Sequence, residues 1–261
     1  LQVLEVAVPA TGQGMQQTLE LLRADPDVEF AEPDQRRFPH AIPNDTLFPG
    51  QWYLQKAATT PSAVDAIGAW DLATGSKGVV VADLDTGVRY DHPDLRPATA
   101  GGRLLPGFDF ISDRDNANDG DGWDADPSDP GDWLTASEAA LGPLSGCPVG
   151  DSSWHGTRVA GIIGALTNNA QGVSGLTWNG WVLPARALGK CGGFDSDIIA
   201  AMLWSGGVAV DGAPANPYPA KVINMSLGGK GTCSQSYSNA ISQLTARGVL
   251  VVASVGTEGG Q

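Results

Sequence analysis

The chain has 261 residues, with 29 acidic and 15 basic side chains and a formal net charge of −14. Hydrophobic residues make up 42% and charged residues 17%, which excludes a disordered polar chain; the negative charge opposes binding to nucleic acid or to an anionic bilayer. No apolar run reaches the ~18 residues of a membrane span.

The first stretch reads as strand (4–9), helix (15–23) and strand (28–33), too short to fold alone. A proline-rich connection, 38–49, follows and marks a boundary, which divides the chain into 1–38 and 39–261. Beyond it, 78–84 is a short apolar run of the buried-strand type. Val159, Ile162, Ile163 and Leu166 lie at helical spacing, 181–188 is a second strand, and Ile198, Ile199, Met202 and Leu203 mark a second helix. A third strand at 221–226 precedes a helix carrying Tyr237, Ala240, Ile241 and Leu244, which Gly248 closes; 249–253 is a fourth strand. Strands alternating with helices imply an α/β fold: a parallel sheet with helices on both faces, joined by right-handed crossovers. Residues 109–132 carry nine aspartates and one arginine, so they either splay into water or hold a cation.

In such a sheet, functional groups collect at the carboxyl ends of the strands. The first core strand ends in Asp85-Thr86-Gly87, the fourth runs into a glycine-rich segment at 254–260, and the first core helix opens at His155-Gly156-Thr157. A helix N-terminus is electropositive and disfavours imidazolium. A buried Asp85 would offset that penalty and fix the ring tautomer of His155. A nucleotide-binding reading has no support, since neither GxGxxG nor GxxxxGK occurs. A zinc hydrolase is equally unsupported: His40, His92 and His155 are far apart and no HExxH occurs.

Asp85-Thr86-Gly87, His155-Gly156-Thr157-x-Val159-Ala160-Gly161 and Asn224-Met225-Ser226-Leu227-Gly228-Gly229 together resemble the subtilisin-type serine peptidases, the subtilase family, from about residue 40 to 261. Gly189-Lys190-Cys191-Gly192-Gly193, the Trp154 before His155 and the aspartate-rich insert are similar to its secreted bacterial branch of Xanthomonas and Dichelobacter extracellular proteases. The resemblance implies a serine endopeptidase acting on protein or peptide substrates, secreted to the extracellular space or periplasm, with no organic cofactor and with neither nucleic acid nor membrane as partner. Residues 1–38 then correspond to the C-terminal part of an inhibitory α+β propeptide, cleaved between Arg37 and Ala41, and 39–261 to the N-terminal part of the peptidase domain. Asp85 would orient the imidazole, His155 would act as general base and then acid, and Ser226, Leu227, Gly228 and Gly229 would hold the substrate by strand pairing.

Four departures accompany the resemblance. The family's serine lies in a Gly-Thr-Ser-Met-Ala motif, and this chain contains no Gly-Thr-Ser, so the serine is expected beyond Gln261. The alternative is a non-catalytic, peptide-binding pseudoenzyme of the same fold. Thr257 stands where the family has the asparagine that donates to the oxyanion. Arg158 stands where histidine is usual. Asp83 occupies an apolar position and by strand alternation shares a face with Asp85, either buried beside it or marking a local twist. A Cys147–Cys191 disulfide is expected, with Cys233 pairing beyond the chain. Calcium is the expected cation for the acidic loop, held by Asp113, Asp115, Asp119 and Asp121.

Overall fold

The computed structural model describes residues 12–34, 41–140, 142–229 and 231–256. The chain forms two compact units, Leu1–His40 and Ala41–Gln261. In the first, helix α1 (Gly12–Arg23) buries Leu19, and the Arg23 Nε donates to the Ala31 carbonyl at 2.9 Å. The expected strand at 4–9 lies outside the described residues. The segment 28–33 is not a strand: its backbone is irregular and pairs with no strand among the described residues.

The second unit holds a five-stranded, wholly parallel sheet in the order β2-β3-β1-β4-β5. Its strands are β1 (Val80–Asp85), β2 (Phe108–Asp109), β3 (Trp181–Arg186), β4 (Val222–Met225) and β5 (Leu250–Ala253). The helices are α2 (Ala66–Trp70), α3 (Arg114–Ala117), α4 (His155–Gly164), α5 (Asp195–Ser205) and α6 (Gln235–Ala246). The four expected core strands are present. The fifth, β2, is two residues at the sheet edge inside the acidic stretch, too short to leave an alternation signal.

Strand β1 is central, paired to β3 on one side and β4 on the other. Ala82 and Leu84 pack with Leu183, Ile223, Met202 and Leu244 in the core that α5 and α6 cover. Strand alternation then turns Asp83 and Asp85 to the opposite face, where α4 lies against β1 and β3. Phe108, Phe110, Trp123 and Trp204 form an aromatic cluster over the β2 edge, with ring centroids 4.9–6.5 Å apart.

The aspartate-rich stretch is organised by one arginine. Arg186, at the end of β3, is 1% exposed, and its guanidinium bonds to Asp109, Asp119 and the Ala117 carbonyl. Its Nε donates to the Thr86 carbonyl at 3.2 Å, which ties the acidic loop to the end of β1. No helix among the described residues is long and apolar enough to cross a membrane.

Candidate active site

Asp85 ends β1 at 1% exposure, and His155 is the first residue of α4. The His155 Nδ1 lies 2.7 Å from Asp85 Oδ1 and 2.8 Å from Oδ2. The Thr86 amide donates to Oδ1 at 2.8 Å, so the buried carboxylate has defined partners. Burial pushes the Asp85 carboxyl above the ordinary carboxylate range, and the hydrogen bonds from His155 and Thr86 oppose that shift.

The start of α4 is built to bring the ring to that carboxylate. Trp154, its N-cap, adopts a left-handed conformation with φ 52°, a backbone state that bulky residues rarely hold. A clamp sustains it. Asp132 accepts from the Ser153 amide at 2.6 Å and from the Ser153 hydroxyl at 2.7 Å, and the Ser153 Oγ accepts from the His155 amide at 3.2 Å. The Thr86 hydroxyl donates to Asp129 at 2.9 Å and accepts from the Gly156 amide at 3.0 Å, which pins the first turn of α4 to the end of β1. Thr86 and Gly156 belong to the motifs of the sequence, but Ser153, Asp129 and Asp132 did not stand out individually. A serine two places before a helix start and aspartates in an acidic run are common patterns, and only the fold brings them together.

His155 borders an open groove of about 1050 Å³. Ser226, Leu227, Gly228 and Gly229 line it past the end of β4, and Gly189–Gly193 form another part of its wall. The Cys147–Cys191 disulfide is present, with Cα atoms 5.6 Å apart, and anchors that wall to the loop before α4. Lys190 pairs with Glu138 at 2.6 Å and lies over the Trp133 ring at 5.1 Å. Cys233 is free and exposed. Thr257 lies outside the described residues.

The four aspartates expected to hold calcium do not fit that ion as a set. Asp113 caps α3 by accepting from the amides of Asp115 and Asn116, and Asp119 bonds to Arg186 and accepts from the Asp121 amide. Among the described residues, no group of three or more His, Cys, Asp or Glu side chains is placed to hold a metal. The cation paired with Asp119, and with Asp109 beside it, is the Arg186 guanidinium.

A family profile described as the subtilase family (Peptidase S8) matches residues 76–261. The chain is 46% identical over 237 residues to a protein named extracellular protease from Xanthomonas campestris pv. campestris, covering 91% of this chain and 38% of that one. It is 44% identical over 240 residues to an extracellular basic protease of Dichelobacter nodosus, covering 92% and 38%. The chain thus spans well under half the length of these relatives. Among solved structures, one of proteases from Pseudoalteromonas arctica is 48% identical with a TM-score of 0.71, covering 81% of this chain and 58% of that one.

Proposed function

Since the chain belongs to the subtilase family, we propose that it forms part of a secreted serine endopeptidase in which Asp85 and His155 are two members of an Asp/His/Ser triad whose serine lies outside these 261 residues. The observation that carries this reading is the contact of His155 Nδ1 with both Asp85 oxygens. With Nδ1–H donated to the carboxylate, the remaining ring nitrogen, Nε2, keeps its lone pair and is the one able to take a proton from a hydroxyl. When it does, the imidazolium stands at a helix N-terminus, which disfavours it, and the buried Asp85 carboxylate compensates. The same nitrogen then returns the proton to the leaving amine.

The substrate is a protein or peptide in extended form. Its backbone pairs with Ser226–Gly229 by strand addition, beside His155 in the groove. Thr257 is the candidate oxyanion donor, through its hydroxyl. Residues 1–38 act as part of an inhibitory propeptide. Two observations support secretion: the named relatives are extracellular proteins, and a disulfide persists in oxidising compartments.

The test is a fluorophosphonate probe applied to the full-length gene product. Labelling of one serine outside these 261 residues, lost in His155→Ala, is the expected result. A wild-type product that takes no label, or labelling indifferent to His155, would overturn the proposal.

A further inference from the structure

Asp83 has no task in the chemistry above, yet it is 1% exposed and lies one strand repeat before Asp85 on the same face of β1. Its neighbour across the β1–β4 ladder is Asn224. The Asn224 carboxamide nitrogen donates to Asp83 Oδ1 at 3.2 Å and to the Ser226 hydroxyl at 3.0 Å. Ser226 in turn lines the groove with His155. The other oxygen, Asp83 Oδ2, is buried with no hydrogen-bond partner among the described residues.

Among the described residues, no Lys or Arg side chain pairs with Asp83. On β1 the nearest titratable group is Asp85, with His155 of α4 beyond it. On β3, Pro184 stands opposite Asp83, and Arg186 is committed to Asp109 and Asp119. On β4 the facing groups are the uncharged Asn224 and Ser226. An ionised Asp83 would be a second anion beside Asp85, with one oxygen stripped of water and unbonded. A protonated Asp83 leaves Asp85 as the one charge facing the imidazole. Burial and the Asp85 charge both push the Asp83 carboxyl well above its ordinary range, against the single bond from Asn224.

We propose that Asp83 is a positioning residue: a neutral carboxylic acid whose Oδ1 fixes the Asn224 carboxamide, which in turn orients the Ser226 hydroxyl at the head of the substrate strand. The proposal rests on the peptide-groove reading above. It deepens that reading by linking a buried acid to substrate alignment rather than to proton transfer.

Two measurements test it. In the full-length product at about pH 7, infrared difference spectra of wild type minus Asp83→Asn show a protonated-carboxyl C=O band in the wild type. Loss of a carboxylate band instead would overturn the neutral acid. In the full-length product, Asp83→Val raises KM for a tetrapeptide nitroanilide roughly 3- to 10-fold, the size of one lost hydrogen bond, with kcat within about twofold. Its Tm does not fall, because a β-branched apolar side chain suits a buried strand. Asp83→Asn restores KM, since its amide oxygen still accepts from Asn224. An unchanged KM in Asp83→Val, or no rescue by Asp83→Asn, would overturn the link to Ser226. A wild-type product without peptidase activity overturns the triad reading instead. The dissociation constant of the same peptide then replaces KM, with the same outcomes.

Discussion

Gly156, the second residue of α4, packs directly on the carbonyl oxygen of Gly87: a Cβ at position 156 would lie 2.3 Å from that oxygen and 3.0 Å from the Asp85 Cβ. This close approach lets the helix start sit against the end of β1, and so lets the His155 ring reach Asp85. In Gly156→Ala the helix start must move away from backbone that cannot yield. We expect kcat/KM of the full-length product to fall about 100-fold, the scale of a misplacement near 1 Å. Wild-type kinetics in this variant would show that the approach is not needed.

Asp85→Asn keeps the shape of the side chain and removes its charge. The imidazolium loses its compensation, and the ring can take the wrong tautomer. The expected loss in kcat is about 10⁴-fold, the size found for other Asp/His/Ser triads, and His155→Ala loses about 10⁶-fold. Steady-state kinetics of the full-length product at saturating peptide check both figures. A loss of only a few-fold in Asp85→Asn would separate the pair from the chemistry.

Arg186 is the cation paired with Asp109 and Asp119, and its removal tests that role. Burial pushes the Asp109 carboxyl up to about 7, against the pull of the Arg186 guanidinium. Between pH ~4 and ~7 the native state therefore holds a proton that the unfolded chain has released, so stability falls as pH rises through that window. Glu138, held down to about 2 by Lys190 and Thr135, acts in the opposite sense but only below pH ~4.5. Urea midpoints of the wild-type chain should decrease from pH ~4 to ~7. Arg186→Met leaves two aspartates without their cation and costs about 3–5 kcal/mol above pH ~7. The cost shrinks at pH ~4–5, where Asp109 carries its proton. An equal loss at both pH values would refute this account.

With Cys147 and Cys191 joined, the unreduced 261-residue chain exposes a single thiol, that of Cys233. A thiol-reactive dye should therefore count one thiol in the unreduced chain and three after reduction and unfolding. The double variant Cys147→Ala/Cys191→Ala should lose about 2–4 kcal/mol of unfolding free energy, because a closed loop restricts the unfolded chain. Three reactive thiols in the unreduced chain would show that the bridge does not form.

The sequence by itself determined the alternation of the core strands and helices, the end of β1 and the start of α4, because apolar periodicity is a local signal. It also carried the three motifs that mark the family, and hence the pairing of Asp85 with His155. It did not determine the supports of that pair. The Asp132–Ser153 clamp, the Thr86–Asp129 bond and the Gly156–Gly87 approach join residues 21 to 69 positions apart, whose types are ordinary in loops. The acidic stretch was legible as a concentration of charge, yet its counter-ion was not. Only the parallel pairing of β2 with β3 brings Arg186 to Asp109. Asp83 shows the same division. Strand alternation put it on the Asp85 face, while the tertiary structure decided that it is buried, bonded to Asn224 and left with one unpartnered oxygen. Periodicity travels along the chain, whereas burial and counter-charges depend on which distant segments the sheet makes neighbours.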